Sequence, residues 1–213
     1  SRNIKSIKQV KNLTKHIRKI FKDKNYPIMI DQEGGRINRL YRFISLEYFT
    51  SEYFGKLFIN DKKEFNISNK LFIDNISYFL SIMGININTV PVLDLRHKGC
   101  SNIIGDRSFS NNPKIVSKIG DICIEYFRKN SIGTVIKHIP GHGLAKVDSH
   151  HFTPTIKKSF NYLKKNDFNV FKKKNSLFAM TAHVIYKKID PANTVTHSKK
   201  MIKIIRNQIG FKN

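Results

Sequence analysis

Residues 132–143, "IGTVIKHIPGHG", carry the pattern from which the fold can be predicted. A short apolar run opens this stretch and ends in two polar residues, Lys137 and His138. Short apolar runs bounded by turn residues are typical of buried strands. Pro140 disfavours a helical conformation for the residue before it, and the glycines around it allow tight turns. The stretch therefore predicts a buried strand that ends near His138 and enters a loop.

The same order of helix, apolar run and polar residue occurs four times along the chain. Apolar residues at helical spacing predict helices over residues 8–25, 64–83, 113–130 and 159–174, and each precedes a short apolar run. A further helix is predicted over residues 198–209, with Ser198 as its N-cap. The four predicted strands end in Asp31, in Asp94, in Lys137 with His138, and in His183.

Alternating strands and helices predict a parallel sheet covered by crossover helices. In a (β/α)-barrel, catalytic residues lie at the carboxyl ends of the strands, which is where the polar residues recur here. A (β/α)-barrel is therefore favoured, but a complete barrel has eight strands and four are recognisable here, so the fold is either an open sheet or part of a barrel. The length fits one domain, residues 1–213, better than two. Residues 40–63 have no predicted role.

The composition limits the classes of function. The chain of 213 residues has 39 Lys and Arg against 15 Asp and Glu, a formal charge of +24. Such a charge attracts nucleic acid, but the lysines are spread along the chain, which favours compositional drift over a binding tract. No apolar run reaches the roughly 20 residues that cross a membrane. Two cysteines, Cys100 and Cys123, favour a reducing compartment, and we expect a cytoplasmic protein.

The loop after His138 is rich in groups that can carry protons or bind a metal. Asp148 and His150 are two residues apart, so the carboxylate can accept a hydrogen bond from the imidazole and make His150 a proton donor and acceptor. Exposed polar residues without a function would give the same local pattern. A metal site is a third interpretation of this loop, and its possible ligands are His138, His142, Asp148, His150 and His151.

Arginines near the other strand ends indicate a polar pocket. Arginine forks bind paired oxygens, and a carboxylate binds neighbouring hydroxyl groups. We expect a site for a hydroxyl-rich neutral ligand with His150 above it, lined by Asp31, Arg39, Arg107, Lys137 and His138. Each of these residues taken singly is more often a surface or supporting ion-pair residue.

Five motifs in order resemble one known family. They are "DQEGGRINRL" at residues 31–40, "VPVLDLRHKGC" at 90–100, "IIGDRSFS" at 103–110, "KHIPGHGLAKVDSHHFTP" at 137–154 and "AMTAHVIY" at 179–186. Together they resemble the β-N-acetylhexosaminidases of glycoside hydrolase family 3, the bacterial enzymes of peptidoglycan recycling. The resemblance implies a TIM-type (β/α)8 barrel that removes β-linked N-acetylglucosamine from muropeptides and needs no metal or other cofactor. It further implies that residues 1–213 are a single catalytic domain that is incomplete at both ends and comprises about strands 3 to 6 of 8.

The resemblance also implies roles for single residues. The N-acetylglucosamine unit would be bound by Asp31, Arg39, Arg107, Lys137 and His138. His150 would be the acid/base, assisted by Asp148, in a retaining mechanism that passes through a covalent glycosyl-enzyme.

One expected element of the resemblance is missing from the sequence. The family's nucleophilic aspartate lies in an "SDD"-like motif after "LGF", and this chain ends at "RNQIGFKN". We therefore expect this chain alone to lack the nucleophile, to be inactive, and to aggregate or dimerise through its open strand edges. Asp31 and Asp94 are the substitutes that position alone would suggest. A metal-dependent barrel hydrolase and a basic nucleic-acid-binding protein remain the alternative functions.

Overall fold

The computed structural model describes residues 3–147 and 152–213. Its α-helices are α1 Ile7–Phe21, α2 Ser51–Asn60, α3 Lys62–Ile82, α4 Pro113–Lys129, α5 Phe160–Lys165 and α6 Lys199–Ile204. Its strands are β1 Met29–Ile30, β2 Ile87–Asn88, β3 Gly133–Ile139, β4 Thr155–Ile156, β5 Phe178–Thr181 and β6 Ile185–Tyr186.

Four strands form one parallel sheet in the order β1-β2-β3-β5. Met29 is opposite Ile87, Ile87 is opposite Gly133, and Val135 is opposite Phe178. The spatial order of these strands follows their order in the chain, whereas a doubly wound open sheet reverses its strand order at a switch point. The architecture is that of a (β/α)-barrel, which confirms the predicted fold class. A separate parallel pair, β4 with β6, was not predicted.

Side-chain caps begin the helices where the sequence supplies Ser, Thr, Asp or Asn. The hydroxyl of Ser6 accepts a hydrogen bond from the Gln9 amide at the start of α1, and Ser198 does the same for Met201 at α6. Helix α1 ends at Phe21, earlier than predicted, because Lys22 adopts a left-handed conformation that stops the helix.

Two segments differ from the prediction. The helix predicted over residues 159–174 ends at Lys165, and the chain then forms a short 3-10 turn over Asn169–Phe171. The carboxylate of Asp167 is buried there and bonds the ring of His97, a tertiary contact that helical periodicity does not report. The segment 40–63, which had no predicted role, contains α2.

The hydrophobic core lies between the sheet and the helices that cover it. Phe65, Ile73, Ile76 and Leu80 place one face of α3 in this core with almost no exposure. No helix in the described part of the chain is long and apolar enough to cross a membrane.

The outer edge of β5 is open in the described part of the chain. No described strand pairs with that edge, and Leu177, Phe178 and Met180 are 49%, 38% and 41% exposed. Unpaired strand edges promote association, so the predicted aggregation or dimerisation stays a prediction that has a structural basis here.

Candidate active site

The carboxyl ends of β1, β2, β3 and β5 meet at one edge of the sheet and surround a cleft of about 340 Å3. Side chains from four separate parts of the chain enter this cleft, as the repeated pattern of polar strand ends predicts. Its lining residues include Asp31, Thr89, Arg107, Lys137, His138 and His183. Two larger clefts, of about 480 and 660 Å3, share no lining residue with this one.

Lys137 is the centre of the charged network beneath the cleft. Its side chain is 1% exposed, and its ammonium contacts the carboxylate of Asp31, lies 2.5 Å from Glu33 Oε1 and donates to Thr89 Oγ1 at 3.3 Å. Burial raises the pKa of Asp31, but the charge of Lys137 and hydrogen bonds from Lys137 and Thr89 outweigh burial and lower it. Asp31 is therefore a carboxylate at neutral pH, and 38% of its side chain stays exposed to the cleft.

Glu33 and Arg107 form a two-pronged ion pair beside this network. Arg107 Nε lies 2.8 Å from Glu33 Oε2, and Arg107 Nη2 lies 2.8 Å from Glu33 Oε1. Burial lowers the pKa of Arg107, but Glu33 outweighs burial and raises it. The pair holds the guanidinium plane in a fixed orientation at the wall of the cleft.

Asp94 holds the loop that follows β3. Its carboxylate is fully buried and lies 2.6 Å from His138 Nδ1, while its other oxygen accepts the His142 amide at 2.6 Å. Burial raises the pKa of Asp94, but the charge and hydrogen bond of His138 outweigh burial and lower it. Because Asp94 binds His138 Nδ1, it leaves the Nε2 edge of the imidazole for a ligand.

An irregularity in β3 explains why two consecutive residues serve the same cleft. Successive side chains of a regular strand point to opposite faces. The pairing of β3 with β5 shifts register between Lys137 and Ile139, and this irregularity allows both Lys137 and His138 to line the cleft.

The two other arginines near β1 have different positions. Arg39 Nη2 lies 3.5 Å from Asp31 Oδ2 with a half-exposed side chain, at the rim and not in the lining of the cleft. Arg36 pairs with Asp106 at 2.9 Å and donates to backbone carbonyls of residues 102–104. Arg36 thus fastens the loop that carries Arg107 against the loop after β1.

His142 is a buried imidazole without a hydrogen-bond partner in the described part of the chain. Both ring nitrogens are shielded from solvent, and the ring lies 5.7 Å from that of His138. Burial lowers the pKa of His142, so the ring is neutral at neutral pH. Within residues 3–147 and 152–213, no group of three or more His, Cys, Asp or Glu side chains is placed to hold a metal. The other proposed ligands, Asp148, His150 and His151, lie outside the described residues.

Most of the residues at this site were predicted from the sequence. Asp31, Arg107, Lys137 and His138 meet at one cleft as predicted, while Asp148 and His150, the predicted acid/base pair, lie outside the described residues. Glu33, Thr89 and the structural role of Asp94 were missed. Glu33 is two residues beyond Asp31 in "DQEGGR", and this spacing is the one signal that could have indicated it.

The arrangement combines fixed donors and acceptors in a small polar cleft. A carboxylate held ionised, a fixed guanidinium and an imidazole edge are the groups that bind neighbouring hydroxyl and amide groups of a ligand. Asp31 and Glu33 are paired with cations, Asp94 bonds the ring of His138, and Glu33 and Asp94 are also buried. The site described here therefore has binding groups and lacks an unpaired carboxylate.

Comparisons with known proteins agree with this geometry. All of residues 1–213 match the family model described as the glycosyl hydrolase family 3 N terminal domain. A beta-hexosaminidase of Hydrogenovibrio crunogenus (strain DSM 25203 / XCL-2) is 32% identical over 215 residues, which cover 99% of this chain and 59% of that protein. This chain thus spans about 59% of the length of the curated relatives it matches.

Solved structures give the same result. Native NagZ from Neisseria gonorrhoeae is 29% identical with a TM-score of 0.90, covering 100% of this chain and 62% of that one. The structure of that protein in complex with N-trifluoroacetyl-D-glucosamine is 29% identical with a TM-score of 0.89, covering 99% of this chain and 62% of that one.

Proposed function

Because the chain belongs to glycosyl hydrolase family 3, we propose that it is the sugar-binding part of a retaining glycosidase that releases terminal β-linked N-acetylglucosamine. The observation that carries the proposal is the cleft in which Asp31, Arg107, Lys137 and His138 converge. The substrate would be a glycan containing N-acetylglucosamine, such as a muropeptide, handled in the cytoplasm during peptidoglycan recycling. The beta-hexosaminidase relatives support the reaction class.

In this proposal the paired charges position the sugar. The exposed oxygen of Asp31 accepts hydrogen bonds from ring hydroxyl groups, and Arg39 stands at the rim beside it. The guanidinium of Arg107 and the Nε2 edge of His138 donate to the remaining oxygens. Since Glu33 and Asp94 already fix those two side chains, little side-chain freedom is lost when the sugar binds.

His150 is proposed as the acid/base, with Asp148 orienting its ring. His150 would protonate the leaving oxygen and then activate the water that releases the sugar. This role rests on the spacing of Asp148 and His150 in the sequence and on the family to which the chain belongs.

The nucleophilic carboxylate is proposed to come from outside these 213 residues. Asp31 is bound by Lys137, Glu33 by Arg107 and Lys137, and Asp94 by His138. A carboxylate held by such ion pairs and hydrogen bonds is a weak nucleophile, because these contacts stabilise its charge.

Hydrolysis of 4-nitrophenyl β-N-acetylglucosaminide tests this function. The protein expressed from the complete reading frame should release 4-nitrophenol and should prefer this compound to the β-glucoside. The 213-residue chain alone should release none above background. Activity of the short chain would refute the proposed origin of the nucleophile, and equal activity of the full protein on both compounds would refute the proposed substrate class.

A further inference from the structure

A second cleft, of about 660 Å3, lies beside the base of the loop that follows β3. It is larger than the cleft described above, and the two share no lining residue. Its floor is made by partly or fully buried groups, namely His97, Cys100, Leu144, Ile156 and Tyr162. Its wall and mouth are lined by four lysines, Lys98, Lys146, Lys157 and Lys158. The described lining contains no Asp or Glu.

A neighbouring cleft shows what distinguishes this one. That cleft, of about 480 Å3, shares His97 to Cys100 with the second cleft and is also lined by cations. There Glu52 pairs with two of the cations, since its carboxylate lies 3.0 Å from Lys56 Nζ and 2.6 Å from Arg96 Nη1. The described lining of the second cleft has four lysines and no carboxylate, and Asp167, bonded to His97, supplies one negative charge beneath it. Positive charge therefore stays in excess there within a concave surface.

Tertiary contacts fix the backbone that carries two of the four lysines. Lys157 and Lys158 directly follow β4, which is fixed to β6, and the Lys187 amide donates to Ile156 O at 2.9 Å. Lys158 Nζ lies 4.7 Å from the ring centre of Tyr162. Burial raises the pKa of the Cys100 thiol in the floor, the charges of Lys146 and Lys158 oppose this rise, and the charge of Asp167 adds to it.

The floor also contains a fixed hydrogen-bonding group. His97 Nε2 lies 2.8 Å from Asp167 Oδ1, and the side chains of His97 and Asp167 are 16% and 1% exposed. Asp167 therefore sets the orientation of the imidazole, whose other nitrogen stays free to face a ligand or solvent among the described residues.

We propose that the cleft lined by Lys98, Lys146, Lys157 and Lys158 is a binding site for a small ligand with two or more oxyanion charges. A phosphate ester or a polycarboxylate has this chemistry. The inference goes beyond the proposed function, because it concerns different residues and requires no hydrolysis. Lysine ammonium groups suit such ligands as mobile point charges around a concave floor.

Calorimetric titration with pyrophosphate at physiological ionic strength tests the site. The wild-type chain should bind one pyrophosphate. Lys157→Gln with Lys158→Gln should weaken binding about tenfold, as loss of two nearby charges in solvent predicts. Lys199→Gln with Lys200→Gln, an exposed lysine pair at the start of α6, makes the same change in net charge elsewhere and should leave the affinity within about twofold.

Two results would overturn the proposal. Equal weakening by both double variants would show that pyrophosphate responds to the overall charge of +24 and not to this cleft. If neither pyrophosphate nor citrate saturates binding by about 10 mM, the chain has no such site. A parallel titration with citrate separates the two sources, since preference for pyrophosphate indicates a phosphate ligand and preference for citrate a polycarboxylate.

N-acetylglucosamine titration of the same variants keeps this proposal separate from the proposed function. Lys157→Gln with Lys158→Gln should bind the sugar like the wild type. Failure of the wild type to bind the sugar would refute the proposed function and leave the pyrophosphate result standing.

Discussion

Replacing Lys137 with Met tests whether the buried ammonium holds the charged network together. Methionine has a similar length and removes the charge, which leaves Asp31 and Glu33 without their shared cation. Breaking a buried ion pair by removing one partner costs about 3–5 kcal/mol. Glu33 keeps its contacts with Arg107, and 38% of the Asp31 side chain can be hydrated, so the lower end applies. We expect Lys137→Met to lower the free energy of unfolding by about 3 kcal/mol at pH 7.

The loss should depend on pH in a defined direction. In the wild type Lys137 keeps the folded pKa of Asp31 below its ordinary value of 3.8, so this stabilisation is present above pH 3.8 and is lost as the pH falls through the folded pKa. In the variant the lowering by Lys137 is gone, so the folded pKa of Asp31 should be higher than in the wild type. Protonation then relieves the unpaired charge, and the difference between the two proteins should shrink between pH 7 and pH 3.

Urea unfolding followed by far-ultraviolet circular dichroism is the assay, since the chain has no tryptophan. Lys70→Met is the matched control. Lys70 Nζ lies 2.5 Å from Asp74, the same distance as Lys137 from Glu33, but its side chain is 59% exposed. Its loss should leave the unfolding midpoint nearly unchanged. If Lys137→Met changes the free energy of unfolding by less than about 1 kcal/mol, or if this change does not depend on pH, Lys137 does not stabilise the network in this way.

Further changes probe the loops, the sugar contacts and the metal alternative. Asp94→Asn should lower the free energy of unfolding by about 2–3 kcal/mol at neutral pH. Folding holds the pKa of Asp94 below 3.8 despite burial, so the wild type should lose stability as the pH falls below 3.8 and through the folded pKa. The Asp94→Asn variant should lose less stability over the same range. Equal losses of stability in acid for the two proteins would contradict this role of Asp94. Gly143→Ala places a methyl group 1.9 Å from Leu95 O and should cost about 3 kcal/mol in chemical unfolding, whereas an unchanged midpoint would show that the backbone can move. Arg107→Lys removes the two-pronged contact with Glu33 and should weaken N-acetylglucosamine binding about tenfold in an NMR titration, with equal affinity counting against the proposed contact. EDTA should leave hydrolysis by the complete protein unchanged, and loss of activity restored by zinc would favour the metal-dependent hydrolase.

The architecture could be predicted because it depends on patterns that are local in sequence. Apolar runs ending in Asp31, Asp94 and Lys137 identified three strands of the parallel sheet, and all three residues lie at its carboxyl edge. Because parallel strands of a barrel have their carboxyl ends on the same side, these three residues could be predicted to lie together although no contact between them was known.

The failures have a common physical cause. Asp167, just beyond the end of α5, contacts His97, and Asp94 contacts His138 and the His142 amide. These contacts join residues distant in sequence, and side-chain periodicity contains no information about them. The pairing of β4 with β6 was missed because each strand has only two residues, too few for a recognisable pattern.

The crystal structure of a crystal of this chain soaked with N-acetylglucosamine would show directly whether the cleft at the strand ends binds the sugar. We expect the sugar to bind in the cleft of about 340 Å3, within hydrogen-bonding distance of Asp31, Arg107 and His138. Sugar density confined to the lysine-lined cleft beside His97, or no sugar bound at either cleft, would contradict it.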